Sequence, residues 1–331
     1  MADHTIGTTA GGRHGRQWLR FFLIGLLLWV ASVAVTFWTG NVNLLPTVIL
    51  LGSFLVPVTF VVYAFQRHAD QAVTAQHIFA GFVYGGILGI LGASILEAEF
   101  LDRPSAPTYL GVGLVEEAVK LAALWLLAWR LPRYTMRDGI VLGAATGFGF
   151  AALESAGYAF NALFTMEGLS LQDLVETEVL RGLLTPVGHG LWTAILGGIL
   201  FRTAARTGRL RLSGTLVGWY LLVALLHTLW DASRGIAVWL TLLLTATQVQ
   251  WLLIQMGRVP QPTQAQVHLF TMINWGLLLL DALLGVAVLR GRWRQALALE
   301  RAQPISRPTS AGPSINRWRR RGRARSAGRG R

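Results

Sequence analysis

The sequence predicts an all-α fold: a polytopic transmembrane helical bundle of eight spans, or nine if residues 236–256 also cross, built around a buried polar site. Three observations carry this. Hydrophobic residues make up 53% of the 331 positions and charged residues only 14%, with a mean hydropathy of +0.50. The apolar residues gather into runs of about 18 or more, the length that crosses a hydrocarbon core. Inside some of those runs sit isolated acids and histidines, which lipid penalises by about 2.5–3.5 kcal/mol per charge at mid-bilayer.

The other bulk properties narrow the class. Cysteine is absent, which excludes disulfides and thiolate chemistry. The net charge of +13 is unevenly spread: arginines cluster near the N-terminus, in alternate loops and after Leu289. That distribution suits one face of a membrane protein, so no nucleic-acid partner is expected. Lys120 is the one lysine in the chain, and it lies beside two glutamates.

In chain order, residues 1–17 read as a short polar cytoplasmic arm and 18–290 as the transmembrane bundle. Residues 291–331 read as a basic, disordered tail suited to anionic lipid. The spans are expected at 18–38, 44–65, 78–96, 108–129, 139–164, 179–201 and 215–233, with a last one at 268–289. Residues 236–256 are long enough to span but carry Gln248, Gln250 and Gln255; with eight spans this stretch is re-entrant or interfacial. Arg13, Arg16 and Arg20, then Arg67, then Arg130, Arg133 and Arg137, then Arg202, Arg206, Arg209 and Arg211 fall on one side. The intervening loops carry Glu97, Glu99 and Asp102, or Glu167, Asp173, Glu176 and Glu178. By the positive-inside rule the N-terminus is cytoplasmic, and a multi-pass position in a bacterial plasma membrane is expected.

Counting inward from the basic loops puts the intramembrane polar groups at one level. Glu117 precedes Arg130 by about 20 Å of helix, and Glu154 follows Gly139 by about 22 Å. His189 precedes Arg202 by about 20 Å, and His227 follows Thr215 by about 18 Å. Four helices thus bring Glu116/Glu117, Glu154, His189 and His227 to a common depth. Glu116 and Glu117 lie four and three residues before Lys120, within reach on a helix. They point about 100° apart, so one is expected to pair with the lysine while the other faces elsewhere. Tyr158, Arg181, Trp192 and Asp231 stand at helical spacing from this set and are expected to support it. An aspartate four residues after a histidine can fix its tautomer. Asp281, in the last span, has no accompanying motif and reads as a helix contact.

Two carboxylates and two imidazoles around a buried pocket suit proton-transfer catalysis on water. One glutamate takes a proton from water while the histidines donate to the carbonyl oxygen; no cofactor is required for that. Alternatively the set binds a divalent metal such as zinc, on His189, His227 and Glu154. There is no His-Glu-x-x-His pair, no Gly-x-Ser-Gly serine, and no aspartate after Gly147-Phe-Gly149-Phe.

Glu116-Glu117-Ala-Val-Lys120, Gly147-Phe-Gly-Phe-Ala-Ala-Leu-Glu154, Arg181 through His189-Gly-Leu-Trp-Thr193, and His227-Thr-Leu-Trp-Asp231 resemble, in order, the motifs of the PrsW family. Those bacterial intramembrane proteases are related to the CAAX prenyl endopeptidases and the bacteriocin-immunity membrane proteins. The resemblance covers about 107–235. It implies an intramembrane endopeptidase acting on a membrane-spanning or membrane-anchored protein. The water-activating acid would be Glu116 or Glu117, His189 would be essential, and Glu154 and His227 would belong to the same site. The wider superfamily commonly ends the fourth motif in Asn where this chain has Asp231. Two readings from other classes compete: a proton-coupled transporter, since intramembrane acids and histidines also relay protons, and a non-catalytic protein that binds membrane segments.

Overall fold

Several helix ends fall where the sequence supplies caps. Thr135, Ser170 and Ser213 each accept a hydrogen bond from a backbone N–H three residues on, opening the helices that follow, which satisfies an otherwise orphaned donor. Gly40 and Gly208 close two others in the left-handed conformation, at φ 63° and 71°, where a side chain would be strained. The computed structural model describes residues 16–67, 72–101 and 106–302. The N-terminal arm before Arg16 and the tail beyond Ala302 lie outside them.

Among the described residues the helices are α1 (Gln17–Thr39), α2 (Leu45–Arg67), α3 (Ala75–Phe100), α4 (Ala106–Ala128) and α5 (Met136–Ala162). A two-stranded hairpin, β1 (Phe164–Thr165) and β2 (Gly168–Leu169), precedes α6 (Leu171–Leu184). Then come α7 (His189–Thr207), α8 (Gly214–Thr245), α9 (Gln248–Gln255) and α10 (Gln264–Ala302). Residues up to Ala296 form one compact unit.

Seven helical stretches are long and apolar enough to cross a membrane, fewer than the eight or nine expected. The chain is a multi-pass membrane protein. α4 is not among the seven because it carries Glu116, Glu117 and Lys120, yet it packs within the bundle against α3 and α8. No span forms at 236–256. α8 runs on to Thr245, and Thr247 and Gln250 then form a capping box that starts the eight-residue α9. The sixth span is broken: a 3₁₀ turn at Thr185–Val187, containing Pro186, separates α6 from α7, because proline cannot continue the hydrogen-bond ladder. Residues 291–302, expected to be loose tail, belong to α10.

α5 sits at the centre. Its face at Gly139, Gly143 and Gly147 lies against α7, where an added Cβ would meet the backbone oxygens of Gly197, Thr193 and His189 respectively. Its other side meets α3, with Gly149 against the Phe82 carbonyl. Only hydrogen fits at such crossings, and the close approach supplies the packing that lipid, being as apolar as leucine, does not drive. The contact fixes α7 lengthwise against α5 and so sets the position of His189 relative to Glu154.

Candidate active site

The site is assembled from four helices. α4 contributes Glu116, Glu117 and Lys120, which are 7%, 0% and 0% exposed. α5 contributes Glu154, the break before α7 presents His189 as that helix's first residue, and α8 contributes His227. The Tyr220 hydroxyl on α8 donates to the Leu114 carbonyl on α4 at 2.7 Å, holding these two helices together within a turn of Glu116 and Glu117.

Lys120 is the hub. Its ammonium donates to Glu117 Oε1 at 2.8 Å, to Glu116 Oε2 at 3.1 Å and to His189 Nδ1 at 2.7 Å, and lies 4.0 Å from the centre of the Phe150 ring. The expectation that the lysine would take only one acid is thus corrected. A flexible four-carbon stem carrying three donors bridges carboxylates that leave the helix 100° apart.

The two imidazoles have parallel surroundings. His189 Nε2 meets Glu154 Oε2 at 2.8 Å, and its Nδ1 faces Glu116 Oε2 at 3.9 Å. His227 Nδ1 meets Glu117 Oε1 at 3.0 Å, and its Nε2 faces Asp231 Oδ2 at 3.3 Å and Glu116 Oε2 at 3.6 Å. Since Lys120 donates to His189 Nδ1, the proton of that ring sits on Nε2 and points at Glu154.

Of the supporting residues, Arg181 pairs with Glu154 and also donates to Ser155 Oγ at 2.8 Å. The Tyr158 ring lies 4.2 Å beneath its guanidinium. Trp192 stacks on His227 with centroids 4.7 Å apart and meets His189 edge-on at 5.3 Å. All ten side chains singled out in the sequence therefore fall in one contiguous cluster. Three neighbours had no role assigned: Phe150, under the lysine; Ser155, under the arginine; and Trp230, edge-on to Trp192 at 5.9 Å. Phe150 sits four residues before Glu154, on the same helix face, which is the signal that marks it. Asp281 is buried, and neither oxygen has a partner among the described residues.

The geometry also bears on a metal. Glu116, His189 and His227 each offer one ligand atom, all within 4.8 Å of one another. Glu154 is not the third member, because its carboxylate is on the far nitrogen of His189. Each imidazole thus has a carboxylate behind it and its other nitrogen turned towards Glu116, the arrangement that orients metal-binding histidines. With neutral imidazoles, the carboxylates of Glu116, Glu117, Glu154 and Asp231 exceed the cations Lys120 and Arg181 by two charges, which one divalent ion would balance. The residues present fit such an ion, with Lys120 Nζ released from His189 Nδ1.

Beside His189 is a cavity of about 60 Å³, walled by Arg181, Thr185, Gly188, Trp192 and Trp230, with room for water. It brings solvent-sized space up to the cluster.

The chain is similar to known proteins. A protein named Protease PrsW from Halalkalibacterium halodurans is 26% identical over 175 residues, covering 51% of this chain and 75% of that protein. One of the same name from Geobacillus kaustophilus is 28% identical over 140 residues, covering 41% of this chain and 57% of that protein. No solved structure matches. The profile described as PrsW family intramembrane metalloprotease matches residues 16–256, a stretch that holds every member of the cluster, and the chain belongs to that family of intramembrane proteases.

Proposed function

We propose that the protein hydrolyses a peptide bond of a membrane-spanning or membrane-anchored protein, with Glu116 as the acid–base group. The observation that carries this reading is the placement of one carboxylate oxygen, Glu116 Oε2, between His189 at 3.9 Å and His227 at 3.6 Å. Water entering beside His189 gives a proton to Glu116 as its oxygen attacks the carbonyl carbon. Glu116 then returns that proton to the leaving amine nitrogen, and a carboxylic acid and an amine result. His227, held by Glu117 and Asp231 on its two nitrogens, meets the negative charge that grows on the carbonyl oxygen. Glu154, locked by Arg181, holds the His189 ring in its tautomer.

The convergent, carboxylate-backed imidazoles favour a second version in which Glu116, His189 and His227 hold a divalent metal such as zinc. The ion would supply Lewis-acid polarisation of the carbonyl and a more acidic water. Glu117, whose Oε2 is buried without a partner among the described residues, is then the carboxylate free to take the proton.

The test is cleavage of a single-span substrate by purified protein in nanodiscs, with bound metal measured before and after chelation. Cleavage by the wild type and none by Glu116→Gln is expected. Loss on chelation with recovery on adding zinc supports the metal version, and full activity after chelation supports the glutamate version. Ion flux in proteoliposomes that depends on these glutamates, without proteolysis, would overturn both in favour of a transporter.

A further inference from the structure

A groove of about 790 Å³ does not reach the carboxylates. It lies between α2 and α10, over α5 and α7. Phe60, Val141, Phe148, Leu191 and Leu289 form its apolar walls, and Pro186 stands at one end. At the other end are Arg67, Arg137, Arg290 and Arg294. Arg67 lies over the Tyr63 ring at 5.7 Å and Arg137 over the Trp293 ring at 5.6 Å. Among the described residues Arg67, Arg290 and Arg294 form no ion pair with an acid. Arginine beside Trp and Tyr at the mouth of an apolar slot is the pattern of the headgroup level of a bilayer.

We infer that this groove binds one anionic phospholipid, its acyl chain lying along α5 and its phosphate among the four arginines. Backbone chemistry separates this occupant from a peptide. An extended peptide would leave its backbone N–H and C=O groups against apolar walls, which lipid-exposed structure does not tolerate. An acyl chain has no such groups. From Phe148 to Arg137, α5 rises roughly 16 Å at 1.5 Å per residue, close to one leaflet of a ~30 Å core. Charge complementarity selects the headgroup: the guanidiniums of Arg67, Arg290 and Arg294 can bind phosphate in bidentate fashion, and each basic group near the surface favours anionic lipid. Bound there, the lipid fills the seam between α10 and the α5–α7 pair.

The experiment is native mass spectrometry of the purified full chain with phosphatidylglycerol or phosphatidylcholine of identical chains. The wild type should retain a single phosphatidylglycerol with a preference of about tenfold over phosphatidylcholine. The exposed triple variant Arg67→Gln/Arg290→Gln/Arg294→Gln should reduce that preference to near parity. A second measurement follows the chain: phosphatidylglycerol brominated on its acyl chain should quench a part of the tryptophan emission that Trp293→Phe lacks. Inorganic phosphate at millimolar concentration should not displace the lipid. Equal retention of both lipids by the wild type would overturn the proposal. So would displacement by phosphate alone, which would mean an anion site without a lipid. Displacement by a single-span peptide that crosslinks to the groove would make it a peptide site instead.

Discussion

The ammonium of Lys120, on α4, lies 2.7 Å from Nδ1 of His189, the first residue of α7. That one contact joins the acid pair to the histidine across 69 residues of chain, and it makes the chain's single lysine a cross-brace of the site. Replacing it by methionine leaves Glu116 and Glu117 buried without their shared cation. The expected cost is about 3–5 kcal/mol of stability, together with loss of proteolysis. Thermal unfolding in detergent and cleavage of a single-span substrate measure the two; an unchanged melting temperature with full cleavage would show the brace to be dispensable.

Glu154→Gln keeps an oxygen facing His189 Nε2 but removes the charge that holds Arg181 and the imidazole together. Turnover should fall about 10–100-fold, as when the partner of a site histidine is changed, with KM nearly constant. A rise in KM at constant kcat would instead place Glu154 in substrate binding.

Gly147 and Gly157 lie ten residues apart on α5 and differ in what a methyl group would meet. At Gly147 it would press on the His189 carbonyl, whereas at Gly157 nothing lies within 4 Å. Gly147→Ala should cost about 1–3 kcal/mol and reduce activity further than its stability loss explains, since it displaces α7. Gly157→Ala should leave both within about 0.5 kcal/mol of wild type. Equal effects of the two substitutions would show that the α5–α7 approach does not set the site.

Much of the site was legible because depth is countable. In a membrane helix each residue advances 1.5 Å, and basic loops mark where counting starts, so Glu117, Glu154, His189 and His227 fall level before any coordinates exist. The His227–Asp231 contact at 3.3 Å was legible for the same reason, since four residues make one turn. Pairing across helices was not. Nothing local shows that Arg181 would turn to Glu154, 27 residues away, or that Glu116 rather than Glu154 would face both imidazoles. Those depend on helix rotation, which the glycine faces of α5 decide.

The one span short of the expected eight is α4, which carries Glu116, Glu117 and Lys120; two helix breaks inside apolar runs have a separate cause. Hydropathy averages over Thr185-Pro186-Val187-Gly188, although proline and glycine mark the break before His189. It also averages over Ala246-Thr247, although a threonine three residues before Gln250 is a helix-start signal. In both places local capping chemistry outweighs the apolar average. The break matters for function, since it places an imidazole at a helix start next to a water-sized cavity.

The central claim is that Glu116 and His227 act as one unit. A double-variant cycle on kcat/KM for Glu116→Gln and His227→Gln, using one single-span substrate, measures this. Each single substitution should lower kcat/KM about 10³-fold or more, and the double variant should be no worse than either alone, as for residues that work together. Losses that multiply in the double variant, or near-full cleavage by Glu116→Gln, would contradict the account.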